Sequence, residues 1–180
     1  MNIEPDIAVF AKGMSNGYPM GAVIGKKWVM DAAQDSFISS TYWTERIGPT
    51  ATIASIKKML KYDVQNHMIK VGKMVIDGWR ELSDKHNLSL NINSFYPLGH
   101  FDFPNSKLEL KTLFTQEMLK RGFLATNAFY ACFAHKEEHV KSYLQNCDEV
   151  FRLIAVAIAE NNIMQYLDGP ICQTGFQRLT

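Results

Sequence analysis

One lysine and one threonine carry most of the chemical interest of this chain. Lys12 follows an apolar run, Ile7-Ala8-Val9-Phe10-Ala11, and directly precedes Gly13. A loop of turn-formers comes next (Ser15, Asn16, Gly17, Pro19), then a second apolar run, Gly21-Ala22-Val23-Ile24-Gly25. Runs of small and β-branched residues bounded by Gly and Pro read as buried strands. Lys12 is therefore expected where a buried strand gives way to a glycine-rich loop. A desolvated ammonium sheds its proton, and the neutral amine is a nucleophile toward carbonyl carbon. The alternative is a lysine that snorkels from a strand end into water. Thr41 closes a third expected strand, Ser36–Thr41, in which Phe37 and Ile38 are buried. Its hydroxyl, in a turn with free backbone N–H groups, suits a phosphate oxygen; otherwise it bonds its own backbone. In the turn from Thr41 to Gly48, Arg46 offers a two-pronged fork to a carboxylate. Glu45 can steady that fork or contact an amine, or the two are a solvated surface pair.

The elements that must position these residues follow in order. Lys27–Ala33 reads as a short helix. Pro49 suits the first turn of a second, which runs to about Tyr62 with Ile53, Ile56 and Leu60 on one face. A third helical period takes in Val64, Met68, Val71, Val75, Trp79 and Leu82 and fades near Asn87, a C-cap residue. Leu88, Leu90 and Ile92 alternate with polar residues, as in a half-buried strand. After the Tyr96–Gly99 turn, His100–Phe103 makes a hairpin partner. Ser106 and Glu109 have capping-box spacing for a helix that stops at Gly122. Phe123–Phe133 is strand-like, and a last helix carries Val140, Tyr143, Leu144, Cys147, Phe151, Ile154 and Ile158 on one face. Strand pairs alternating with helices predict an α/β layer architecture.

Composition narrows the class. The chain has 180 residues, 47% hydrophobic and 21% charged, with formal net charge +1. That suits a soluble globular protein and argues against a nucleic-acid partner, since no Lys/Arg block stands out. Cys132, Cys147 and Cys172 are odd in number and lack CxxC spacing, which fits a reduced, cytoplasmic compartment and disfavours metal ligation. No apolar run is long enough to span a bilayer. The spacing of Gly13, Gly17 and Gly21 matches neither a dinucleotide loop nor a P-loop. His135 and His139 sit at i, i+4 without a third ligand nearby, so a structural role at a helix start is expected of His135. Phe129 and Tyr130 are candidates to approach a substrate.

The segments PDIAVFAKG and NGYPMGAVIG closely resemble the lysine segment of class III aminotransferases, pyridoxal-phosphate (PLP) enzymes of fold type I, nearest the glutamate-1-semialdehyde aminomutase-like branch. The resemblance covers essentially the whole chain but only the C-terminal part of the family's architecture. It implies that residues 1–65 belong to the large PLP-binding domain and residues 66–180 form the small C-terminal α/β domain. It also implies that Lys12 carries PLP covalently and moves a proton during amino transfer between an amino donor and a carbonyl compound. Thr41 then contacts the PLP phosphate of the neighbouring subunit, making the site a homodimer property. Many relatives follow this threonine with a Gly-Asn-Pro-like run, whereas Tyr42–Pro49 stands here, so aminomutase activity is not carried over. The family's glycine-rich phosphate loop, its ring-stacking aromatic and the Asp that pairs with the ring nitrogen have no counterpart, and Asp6 is no substitute. An incomplete or split enzyme is expected, with a catalytically silent fragment acting by association, or an aminomutase, as the alternatives. The turn-rich tail, Asp168 to Thr180, carries no assigned chemistry.

Overall fold

The computed structural model describes residues 3–42 and 44–173. Trp43, within the Thr41–Gly48 stretch, and Gly175, Phe176, Gln177, Arg178 and Leu179 near the C-terminus lie outside the described residues. The chain divides into two units, Met1–Val64 and Gln65–Thr180.

In the first unit, β1 (Ile7–Phe10) and β2 (Ala22–Gly25) pair antiparallel, Ile7 opposite Gly25 and Phe10 opposite Ala22. A single 3-10 turn, Lys12–Met14, follows β1, and the connection reverses through Asn16 and Gly17, both at positive φ. Helix α1 (Lys27–Asp31) runs on into a 3-10 turn, Ala32–Asp35, and α2 (Ile47–Lys61) closes the unit. Two expectations fail here, and a third apolar face stays uncovered. The strands are not buried: Ile7, Val9, Phe10, Val23 and Ile24 are all exposed. Residues 36–41 form no strand, and Phe37 is 95% exposed, with Ile38 also in solvent. The apolar face of α2, Ile53, Ile56 and Leu60, is exposed as well. The reason is common to all three: periodicity decides which residues share a face, but burial needs a second layer, and a two-stranded ribbon supplies none.

The second unit has such a layer. Strand order is β3 (Asn91–Ile92), β4 (Leu98–Asp102), β5 (Ala128–Tyr130), antiparallel throughout, with β4 central. Three helices, α3 (Val64–Lys85), α4 (Lys107–Lys120) and α5 (Glu137–Ala159), share one core with this sheet. Val71, Val75, Ile76 and Trp79 of α3 are fully buried, as are Phe114 of α4 and Val150, Phe151 and Ile154 of α5. Phe101 of β4 sits at the centre, edge-on to Trp79 at 4.9 Å, Phe114 at 5.2 Å and Phe151 at 5.7 Å. Such edge-to-face pairs add to the area they bury.

Helix ends explain the boundaries. Asn87 adopts the left-handed conformation and the Leu88 N–H returns to the Ser83 carbonyl at 3.0 Å, ending α3 as expected. Gly122, at φ 83°, does the same for α4, with Phe123 N–H on the Met118 carbonyl at 2.9 Å. Ser106 departs from expectation: it is left-handed (φ 46°) and its hydroxyl makes no cap, so the capping box with Glu109 does not form. A capping serine needs extended backbone. The strand expected over Phe123–Phe133 shrinks to three residues, because only Ala128–Tyr130 lie opposite β4.

Candidate functional site

Lys12 lies where β1 ends, in the first position of the 3-10 turn that the Met14 N–H closes onto the Ala11 carbonyl at 3.2 Å. Its φ is +55°, an uncommon conformation for a residue with a Cβ. Lys12 is exposed rather than desolvated, correcting the expectation, because both strands of its ribbon are exposed. Among the described residues it forms no ion pair, so its amine is accessible to a carbonyl compound.

The loop beyond Lys12 is held from two directions. Ser15 is buried and its hydroxyl donates to the Tyr18 carbonyl. On the other side, a Cβ added to Gly48 would lie 2.9 Å from the Pro19 carbonyl oxygen and 3.3 Å from Met20 Sδ. Only a glycine lets the first turn of α2 approach this loop so closely. The open end of the ribbon is closed by the Lys26 N–H on the Asp6 carbonyl at 3.0 Å and by the Lys26 Nζ–Asp6 Oδ1 pair at 2.8 Å. Asp6 is thus engaged within the ribbon.

Thr41, Glu45 and Arg46 fall together on the segment that leads into α2. Thr41 is exposed, in a turn, and among the described residues its hydroxyl has no partner. Glu45 is turned toward its own helix: its carboxylate accepts from the Ile47 N–H and, at 3.1 Å, from the Gly48 N–H. This is an N-terminal cap, favourable both as hydrogen bonding and toward the helix dipole. An acid two residues ahead of Ile47-Gly48-Pro49 was the available signal for it. Arg46 is exposed, and among the described residues it has no ion-pair partner. Lys12, Thr41 and Arg46 therefore offer an amine, a hydroxyl and a guanidinium on exposed turns, a donor set that fits an aldehyde, a phosphate and a carboxylate.

In the second unit the histidines serve the start of α5. His135 Nδ1 accepts from the Cys132 N–H at 3.1 Å, and His139 Nδ1 from the Lys136 N–H at 3.3 Å. His67 of α3 bonds the His135 carbonyl through Nε2 at 2.8 Å. Burial, reinforced by His139 and then His67, lowers the pKa of His135. Phe129 packs on the His135 ring at 4.8 Å, and Tyr130 beside it is mostly exposed. Among the described residues, no group of three or more His, Cys, Asp and Glu side chains is placed to hold a metal. Nor, among them, is any helix long and apolar enough to cross a membrane.

The fold is the one seen in solved PLP-dependent transaminases. It superposes on the FumI protein of Sphingopyxis sp. MTA144, solved in its PLP internal aldimine form, with TM-score 0.80 and 23% identity over 87% of this chain and 39% of that one. Residues 1–140 match the family Aminotransferase class-III, and the chain belongs to that family. It is 28% identical over 144 residues to 2'-deamino-2'-hydroxyneamine transaminase of Streptomyces kanamyceticus, covering 79% of this chain and 37% of the relative. It is 27% identical over 167 residues to glutamate-1-semialdehyde 2,1-aminomutase of Methanocaldococcus jannaschii, covering 83% and 39% respectively. The chain thus spans under two-fifths of the length of these curated relatives.

Proposed function

We propose that this chain is the lysine-bearing part of a PLP-dependent aminotransferase that exchanges an amino group between a small-molecule amino donor and a carbonyl acceptor. The observation that carries the proposal is Lys12. It stands at the end of a strand within PDIAVFAKG, the segment that resembles the family's cofactor-lysine segment, and inside the residues 1–140 that match the family. Lys12 would hold PLP through its amine, and Thr41 would hold a phosphate oxygen, serving the neighbouring subunit of a homodimer. Arg46 would take a substrate carboxylate, while Glu45 keeps the start of α2 in place beneath it. PLP, when bound, supplies the electron sink for the charge left on a substrate carbon that loses a proton. Lys12 Nζ, freed once the substrate amine has taken its place, would lift that proton from the substrate Cα and deliver it to the cofactor carbon rather than back to Cα. Residues 1–65 would form part of the large PLP-binding domain and residues 66–180 the small C-terminal domain. The free cysteines fit a reducing, cytoplasmic setting.

An aminomutase is the second reading, supported by the relatives that bear that name. The Tyr42–Pro49 segment, which departs from the usual run after the threonine, favours the transaminase.

The test is chemical. The protein is mixed with PLP, reduced with borohydride and digested, and the pyridoxyl group is located by mass spectrometry. Modification confined to Lys12, and lost in Lys12→Ala, is the expected result. Label spread evenly over surface lysines would refute the assignment and leave a silent fragment as the better reading.

A further inference from the structure

The second unit contains a cavity of about 390 Å³ between the Phe123–Tyr130 segment and the start of α5. Its volume falls in the range of small-molecule sites, roughly 300–1,000 Å³. Phe123, Phe129, Tyr130 and Tyr143 supply its aromatic wall, and His135 and His139 are its basic members. Among the described residues, no lysine, arginine, aspartate or glutamate lines it. A charged ligand would therefore lose hydration there without gaining a counter-ion.

Two further features point to an occupant. Leu124 stands 97% exposed at this cavity and Tyr130 71% exposed, so apolar surface continues outward from the wall. Exposed apolar surface that runs into a concavity is a mark of ligand sites. The polar handles are the His135 and His139 rings. Their Nδ1 atoms accept the Cys132 and Lys136 N–H groups respectively, so the proton of each neutral ring resides on Nε2. The Tyr143 hydroxyl is already engaged, accepting from Trp79 Nε1 at 3.1 Å. Ring donors within an aromatic, uncharged wall favour a planar molecule with an acceptor oxygen.

We propose that this cavity binds an uncharged aromatic or alicyclic compound bearing a hydroxyl or carbonyl oxygen, packed against the exposed Tyr130 ring and accepting a hydrogen bond from His135 or His139. The inference rests on the second unit alone and does not depend on the transaminase reading.

The probe is 2-naphthol, titrated into the full chain at pH 7.5 and followed by the imidazole carbon resonances in NMR. Saturable shifts at His135 and His139, with His86 and His100 unmoved, are expected. Tyr130→Ala, a change at an exposed side chain, should weaken binding at least fivefold, and Ala125→Trp, which fills the cavity, should abolish it. The cation 2-naphthylmethylammonium should bind at least fivefold more weakly than naphthol. Shifts that stay linear to the solubility limit would overturn the proposal. So would equal movement of His86 and His100, or naphthol binding that Tyr130→Ala leaves unchanged.

Discussion

Trp79 and Tyr143 meet in the dry centre of the second unit, the indole Nε1–H donating to the phenol oxygen at 3.1 Å. The Tyr143 pKa is pushed well above its ordinary value, first by burial and then by the neighbouring Cys147. Burial likewise raises the Cys147 thiol to about 12. Both groups therefore stay protonated, and the contact is a neutral hydrogen bond that ties α3 to α5. Tyr143→Phe keeps the ring and strands the indole donor, at a cost of about 1–3 kcal/mol. Pairing it with Trp79→Phe removes donor and acceptor together, so the double variant should lose less than the sum of the singles. Urea denaturation of the four proteins checks this; additive losses would mean that the hydrogen bond contributes nothing.

Gly72 marks a second contact of this kind. A Cβ added there would sit 1.8 Å from the Tyr96 carbonyl oxygen, which is backbone and cannot swing aside. Gly72→Ala gains helix propensity worth about 1 kcal/mol. It must also displace either α3 or the turn that precedes β4, an overpacking cost of about 1–3 kcal/mol or more. Net destabilisation is expected, visible as a lower urea midpoint. Gly13, where an added Cβ meets nothing within 4 Å, is the control for steric cost.

The second unit was legible because its pattern and its packing agree. Val71, Val75 and Trp79 recur at helical spacing, and the same residues are buried in one core, Trp79 against Phe101. Asn87 could be read as a helix end because its left-handed backbone is a local preference. Ser106 could not be read correctly, since the same conformation there defeats a cap that spacing alone suggests. The first unit misled for a different reason. Phe37 and Ile38 look like core residues in any window of sequence, yet no layer covers them. At the candidate site, Lys12 was found from its motif, whereas the capping role of Glu45 needed geometry, because an acid in a turn has many possible partners.

Acid should weaken the second unit in two steps. Burial, His139 and His67 hold the folded pKa of His135 below its ordinary value near 6.5. The unfolded chain then binds the proton more readily, so stability falls as pH drops below about 6.5 and continues to fall until the folded His135 itself protonates. Glu117 acts lower. Burial alone would raise its carboxyl, but hydrogen bonds from Lys120, Gln116 and Arg121 outweigh it and depress the folded pKa. Its stabilisation is present above about pH 4.3 and is lost as pH falls through the folded value. His135→Gln should flatten the profile between pH 7 and 5.5, and Glu117→Gln should flatten only the more acidic limb. Stability measured against pH for both variants separates the two; a His135→Gln profile parallel to that of the native chain would discard the first step.

Glu45 offers a test of structure against substrate binding at the candidate site. Its carboxylate already accepts the Ile47 and Gly48 N–H groups of α2, two donors that no helical carbonyl can satisfy. Glu45→Ala leaves both to water and removes a negative charge from the positive end of the helix, costing about 1 kcal/mol locally. Amide exchange at Ile47 and Gly48 should then quicken by roughly fivefold with no ligand present. Gln keeps an acceptor oxygen, so Glu45→Gln should recover part of that protection but not the charge contribution. If exchange at both amides is the same in all three proteins, the carboxylate does not cap α2, and its free oxygens return to the list of groups available to a substrate amine.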